Sequence, residues 1–249
     1  MQDFTASPMV GFTKTKFGQE ENTSRAFQMQ TWTEKIDFGH GIKCYRNIIK
    51  SSFDVINRIE SNLKPVGDTT GYSWQPAYVG YQELVPEYRD CVDFKFKKTD
   101  IEHDKSTVSL NLQSLWQDIY DSALPAVRDY RSEHNIASLK YWEAMNFVKY
   151  GPGQHFKEHQ DHGFSYNCTV SLVGYVNDDY EGGELFFRLQ NLKIKPQAGD
   201  LYVFPSNYMY PHQAMPVTAG TKYSIVTMLD YSKKYHTPDM YDRKWNDEK

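Results

Sequence analysis

The chain has 249 residues, of which 39% are hydrophobic, 15% aromatic and 24% charged, and 28 basic against 32 acidic side chains leave a formal net charge of −4. At roughly 100 to 200 residues per domain this length admits one large or two small domains, and the modest hydrophobic fraction beside many rings describes a globular chain with an aromatic core. No apolar run approaches the roughly 18 residues of a membrane-spanning helix, Met1-Gln2-Asp3-Phe4 does not open a signal peptide, no repeat supports a collagen-like or low-complexity class, and no long basic run suits a nucleic-acid duplex.

The N-terminal stretch to about residue 38 mixes Ser, Thr, Gln, Glu and Lys with Phe12, Phe17, Phe27 and Trp32, and reads as an extended segment lying on the body of the protein. Gly41 to Ile49 alternates like a strand, after which Ser51-Ser52 are placed to cap a helix beginning at Phe53. From Pro65 to about Asp104, Gly, Pro, Tyr and Asp predominate, so a long loop is expected with one strand near Val92 to Lys97. Its Tyr72, Trp74, Tyr78, Tyr81 and Tyr88 suit either a lid over a peptide groove or a well-packed excursion. Residues 108 to about 135 carry apolar side chains at helical intervals, interrupted only by Pro125, which predicts one helix or two. After Ser138 the pattern changes to short strands over 141–149, 168–176, 183–189, 191–195, 200–204, 209–214 and 221–230, separated by Gly, Pro, Asn and Asp turns. Strands of that length and spacing mean a sandwich or barrel. Cys44, Cys91 and Cys168 are odd in number and widely separated, which argues against a disulfide framework or thiolate zinc site and suits a reducing cytoplasm.

The densest polar cluster is Tyr150-Gly-Pro-Gly-Gln-His-Phe-Lys-Glu-His159-Gln-Asp161-His162. His159 and Asp161 are two apart, so in extended backbone both point to one face, as two ligands of one metal must. A third ligand has to come from another strand, and His212 in Tyr210-Pro-His212-Gln is the best candidate. Two imidazoles and a carboxylate on one face make the facial triad of non-haem Fe(II) oxygenases, with three coordination positions open. Lys222 lies ten residues beyond His212, across the Ala219-Gly220 turn, where two adjacent antiparallel strands would bring the pair together inside the barrel. A buried lysine is costly without an anion, and a dicarboxylate chelating the metal at its other end would supply one. An isolated HxD pair arises easily by chance on a strand. His155 and His162 read as solvated neighbours, and Glu181-Gly-Gly-Glu184 as a hairpin turn.

With these residues in view, the sequence resembles the prolyl 4-hydroxylase-type Fe(II)/2-oxoglutarate-dependent dioxygenases. The likeness rests on Tyr150-Gly-x-Gly-x-x-Phe156-x-x-His159-x-Asp161, Asp179-Tyr-Glu-Gly-Gly-Glu-Leu185, Gly199-Asp-Leu-x-x-Phe-Pro205 and His212-x-x-x-Pro-Val-x-x-Gly-x-Lys222-Tyr223. It covers residues 141 to 231 well and 41 to 63 weakly. It implies a mostly β fold with supporting α structure: a double-stranded β-helix, or jelly-roll, core backed by N-terminal helices. One domain over 1–249 is expected, with supporting helices, strands and a substrate loop in 1–140, the core in 141–231 and a tail in 232–249. The resemblance further implies Fe(II) on His159, Asp161 and His212, 2-oxoglutarate as co-substrate with its distal carboxylate on Lys222, O₂, and ascorbate as a further cofactor. Tyr150 and Tyr175 hold the places of tyrosines that bind the co-substrate in relatives, and Ser224 shares a strand face with Lys222. Phe156 departs from the tyrosine frequent in the first motif.

The activity so implied is oxidative decarboxylation of 2-oxoglutarate to succinate and CO₂, coupled to hydroxylation of a substrate carbon. A proline-containing peptide or protein hydroxylated at proline C4 is the expected substrate, with no membrane and no nucleic acid as partner. A nucleic-acid demethylase would need two arginines where Lys222 and Met228 stand. Two alternatives remain open at this point: a sister oxygenase acting on another side chain or a small molecule, and a jelly roll that binds metal without turnover.

Overall fold

The computed structural model describes residues 30–79, 83–163 and 167–232. The segment ahead of residue 30, Tyr81 of the aromatic loop and the tail from 233 onward lie outside the described residues. Elements run in the order β1 (Lys35–Asp37), β2 (Lys43–Tyr45), α1 (Val55–Asn62), β3 (Gln75–Pro76), β4 (Arg89–Asp90), β5 (Val92–Phe96), α2 (Lys98–Ile101) and α3 (Thr107–Glu133). They continue with β6 (Tyr141–Trp142), β7 (Met145–Tyr150), β8 (His155–His159), β9 (Val170–Tyr175), β10 (Glu181–Gly182), β11 (Leu185–Phe187), β12 (Leu192–Ile194), β13 (Leu201–Pro205), β14 (His212–Ala214), β15 (Val217–Ala219) and β16 (Lys222–Asp230).

A large sheet orders its strands β1-β2-β13-β9-β16-β7-β5-β3, with β6 also paired to β16, and a smaller sheet orders them β12-β11-β14-β8-β4. Residues of both sheets line one cavity, which gives the mostly β, jelly-roll arrangement that the resemblance implies, within the sandwich or barrel class that the strand pattern predicts. Strands from before residue 141 pair directly with those after it: β1, β2, β3 and β5 extend the large sheet and β4 extends the small one.

Alternation explains how one sheet serves two purposes. On β9, Val170 and Leu172 join the core shared with the helices, while Val173 and Tyr175 face the cavity. Met145 and Phe147 of β7 face the helices, and Asn146, Val148 and Tyr150 line the cavity. Ile225 and Leu229 of β16 repeat the pattern against Lys222, Ser224, Val226 and Met228.

The backing helix α3 starts on Ser106, whose side chain accepts the Ser109 amide, and buries Leu112, Leu115, Ile119, Ala123, Ala126, Val127 and Tyr130. It is one helix and not two. Pro125 sits inside it, and although an interior proline costs about 3 kcal/mol, buried Ala123, Ala126 and Val127 on either side hold the turn in place. Hydrogen bonds from Tyr130 Oη to Gly41 O (2.7 Å) and from Ser122 Oγ to Ile48 O (2.8 Å) tie α3 to the chain around β2. Arg58 of α1 joins it as well, through Asn111 Oδ1 at 2.8 Å and Asp118 Oδ2 at 2.9 Å.

Three local expectations are corrected. Ser51 and Ser52 form a short 3-10 turn with Phe53, and the residue that opens α1 is Asp54, in a left-handed conformation with no side-chain cap. The strand expected over 41–49 shrinks to Lys43–Tyr45, because Asn47 adopts positive φ and turns the chain. His155 lies on β8 rather than in a loop, and His162 is bound to backbone, its Nδ1 2.8 Å from Cys168 O. Cys44, Cys91 and Cys168 are free and buried. Among the described residues no helix is long and apolar enough to cross a membrane.

Candidate functional site

His159 ends β8 and His212 opens β14, and the antiparallel register sets the two directly opposite each other. Their ring centroids are 4.4 Å apart. Asp161, just past the end of β8, places Oδ1 3.7 Å from His159 Nε2 and Oδ2 3.8 Å from His212 Nε2. All three donor atoms fall within 4.8 Å of one another, close enough to hold one metal ion.

The imidazoles are prepared for that purpose by their backbone. His159 Nδ1 lies 2.8 Å from Lys157 O and His212 Nδ1 3.1 Å from Tyr210 O, each carbonyl two residues back in the chain. A carbonyl only accepts, so each Nδ1 carries the proton and each Nε2 keeps its lone pair for a ligand. Burial, and next the neighbouring His212, push the His159 pKa down to about 3, which keeps the ring neutral. Phe156 stacks on His159 with centroids 3.6 Å apart, and Phe187 and Phe204 pack on His212. Asp161 is oriented from the other sheet: Ser171 Oγ of β9 donates to Oδ2 at 2.5 Å and pairs with Ser206 Oγ at 2.7 Å.

The opposite end of the cavity is built by β7, β9 and β16. Lys222 pairs with Tyr150, and Ser224 with Tyr175, so four polar side chains share a small area of one sheet face. Lys222 is 1% exposed, and its Nζ donates to Gly183 O at 2.8 Å. Among the described residues no carboxylate pairs with it. The ammonium lies 4.9 Å from the Tyr150 ring centroid and 5.3 Å from that of Tyr175. Burial first, and then the charge of Lys195, push its pKa down to about 7, against a weaker opposing pull from Cys91 and Glu184. Burial raises both tyrosine phenols well above their ordinary range, so each remains a hydrogen-bond donor. A buried cation with phenol donors beside it and no anion is a fit for a ligand carboxylate.

The structure thus brings all six sequence-selected residues, His159, Asp161, His212, Lys222, Tyr150 and Tyr175, to the wall of one cavity, together with Ser224. One relation differs from expectation. Lys222 and His212 are not on adjacent strands, because β14 pairs with β11 and β8 whereas β16 pairs with β6, β7 and β9. They face each other across the cavity from opposite sheets, with β15 turning aside to pair with β10.

Residues that sequence reasoning missed stand on the same wall: Arg89, Glu143 and Asn146. Asn146 was accessible to parity, lying two and four residues before Val148 and Tyr150. Arg89 had no such signal, since only the pairing of β4 with β8 sets it opposite Phe156. Its guanidinium carbon sits 4.9 Å from the Phe156 ring centroid, and its Nη2 binds Asp93 Oδ2 at 2.8 Å. The aromatic loop resolves in part as packing: Tyr72 meets Phe94 edge-on, Trp74 is buried, and Tyr88 binds Glu158 O at 2.7 Å.

Residues 145–229 match the family described as the 2OG-Fe(II) oxygenase superfamily. A putative prolyl 4-hydroxylase of Acanthamoeba polyphaga mimivirus is 32% identical over 101 residues, which are 32% of this chain and 42% of that protein. Human procollagen-lysine,2-oxoglutarate 5-dioxygenase 2 is 31% identical over 96 residues, covering 36% of this chain and 13% of the relative. The chain therefore spans less than half the length of these curated relatives. Among solved structures, a Pseudomonas putida prolyl-4-hydroxylase superposes with a TM-score of 0.56 at 20% identity, over 77% of this chain and 94% of that one. A Trichoplax adhaerens prolyl hydroxylase in complex with a hypoxia inducible factor peptide gives 0.56 at 16%, over 77% and 84%. At such identities these likenesses bear on the fold. Residues 145–229 are thus similar to the 2OG-Fe(II) oxygenase superfamily, the putative viral prolyl 4-hydroxylase is similar over a third of this chain, and the fold is similar to that of solved prolyl hydroxylases.

Proposed function

We propose that this protein is an Fe(II)- and 2-oxoglutarate-dependent dioxygenase that hydroxylates peptidyl proline at C4. In that reading 1–249 acts as one domain around the jelly roll of 141–231. His159 Nε2, Asp161 and His212 Nε2 hold the iron, while Lys222 with Tyr150 and Tyr175 receives the distal carboxylate of 2-oxoglutarate. The observation that carries it is a cavity with three donors able to hold a metal at one end and, at the other, a buried lysine that no carboxylate among the described residues pairs with. A dicarboxylic 2-oxo acid satisfies both ends at once.

Bound iron supplies the O₂ chemistry, in which one oxygen atom enters the substrate C–H bond and the other ends in succinate as CO₂ leaves. The protein's own part is positional. Nδ1 contacts to Lys157 O and Tyr210 O aim the imidazoles, Ser171 aims the carboxylate, and the phenols and ammonium orient the co-substrate. Phe156, Phe187 and Phe204 keep water from the ligating rings.

The relatives include lysyl as well as prolyl hydroxylases, so the substrate test must separate the two. Peptides rich in proline and peptides rich in lysine are incubated with Fe(II), 2-oxoglutarate, ascorbate and air, and analysed by mass spectrometry. A gain of one oxygen mapped to proline C4 is the expected result. Oxidation confined to lysine would replace the proline reading with that of a lysyl hydroxylase, and succinate formation that no peptide stimulates would point to a small-molecule substrate. Repeating the assay without ascorbate reads its contribution.

Ser171→Ala provides a second check. Losing the hydroxyl that orients Asp161 should weaken metal binding by about 10- to 100-fold, with Ser206 left without its Oγ partner. Metal titration of the variant against the unmodified protein measures it, and equal affinities would remove Ser171 from the account.

A further inference from the structure

Behind Lys222, away from the cavity, stands a second lysine that the site as described does not use. Lys195 follows β12, and its Nζ donates to Tyr180 O at 2.8 Å and to Gly182 O at 2.7 Å. The same ammonium lies 3.8 Å from the Tyr180 ring centroid. Lys222 Nζ binds the next carbonyl along, that of Gly183, from the cavity side. Two cations therefore grip successive carbonyls of one turn.

The turn itself has little freedom to be anything else. Gly182 and Gly183 both have positive φ, at +68° and +65°. A Cβ at Gly182 would come 2.3 Å from Pro216 O, and one at Gly183 would come 2.9 Å from Tyr180 Cε2 and 3.1 Å from Lys222 Cδ. Tyr180 is 5% exposed and packs with Tyr150, Cys91 and Val217. Where the turn sits thus determines where Gly183 O sits, and that carbonyl is the protein hydrogen bond that aims the Lys222 ammonium.

We propose that Lys195 is a positioning residue for the carboxylate end of the cavity, fixing the Tyr180–Gly183 turn that aims Lys222 and adding a second positive charge behind it for a dianionic ligand. The inference rests on the reading that Lys222 receives the distal carboxylate of 2-oxoglutarate. Lys195 is not among the residues that line the cavity. Its side chain is reached from solvent, which suits a residue that acts through the turn.

Calorimetric titration of the Mn(II)-loaded protein without turnover tests this, comparing 2-oxoglutarate with 2-oxovalerate, a 2-oxo acid with the same chelating end and no distal carboxylate. Below pH 7, where Lys222 is charged in both proteins, Lys195→Met should bind 2-oxoglutarate about fivefold to tenfold more weakly, 2-oxovalerate should bind as before, and Lys195→Arg should restore most of the loss. Unchanged 2-oxoglutarate affinity, equal weakening of both ligands, or failure of the arginine to rescue would overturn the assignment. Failure of the unmodified protein to bind 2-oxoglutarate would instead overturn the functional reading, and this inference with it.

Discussion

Asp161→Asn is expected to reduce succinate formation by about three orders of magnitude or more, equivalent to roughly 4 kcal/mol. The amide nearly preserves the shape of the carboxylate and can still accept from Ser171 Oγ, which now donates to Oδ2 at 2.5 Å. What it removes is the negative charge between two imidazoles whose Nε2 atoms lie 3.7 and 3.8 Å from the carboxylate oxygens. Two neutral rings and a neutral amide hold a divalent ion far less tightly than two rings and an anion. Asp161→Ala should be as inactive, and it also leaves Ser171 without its acceptor, so the difference between the two variants in thermal stability isolates the orienting hydrogen bond. Metal content measured beside succinate assigns the loss to the ion. Full succinate formation by the asparagine variant would remove Asp161 from the metal site.

Which parts of this site could be read from the sequence depended on whether period-two parity was enough. It was enough for β9 and β16, where Tyr175 and Lys222 fall on the cavity face along with Ser171, Val173 and Ser224. It also paired His159 with Asp161, whereas His212 came from its place on another strand-like run and from the family resemblance. Parity says nothing about which sheet a strand joins. The ten-residue spacing from His212 to Lys222 therefore suggested neighbouring strands, whereas β15 diverts to β10 and leaves the two on facing sheets.

The same limit hid Arg89, which reaches the cavity only because a two-residue strand in a Tyr- and Asp-rich stretch happens to pair with β8. Local signals failed where tertiary contacts outweighed them. Pro125 reads as a helix breaker, yet the surrounding packing of α3 on the core carries it. Serines in the cap position gave way to Asp54, whose backbone and not its side chain makes the turn into α1.

Lys222→Met should weaken 2-oxoglutarate binding by roughly 30-fold or more, since removing one member of a buried charge pair costs about 2 to 5 kcal/mol. Metal affinity, set at the other end of the cavity, should change little. The pH dependence gives the sharper test. In the empty protein, burial and then Lys195 push the Lys222 pKa from 10.5 down to about 7, so above that pH most molecules hold a neutral amine. A dianionic ligand restores the charged form, and binding above pH 7 must therefore take up a proton. Affinity is complete below about pH 7 and should fall by up to about tenfold per pH unit above it, until the pKa of the complex is reached.

Stability of the empty protein has the opposite sign. Between about 7 and 10.5 the unfolded lysine keeps a proton that the folded one has released, so this group makes stability rise with pH across that window. Lys222→Arg keeps its charge throughout and should flatten both trends. Titrations of 2-oxoglutarate at several pH values above and below neutrality, beside thermal melts of the empty protein, measure the two. If affinity were independent of pH for the unmodified protein, Lys222 would not be the group that meets the carboxylate, because any anion bound there must draw its proton onto this lysine.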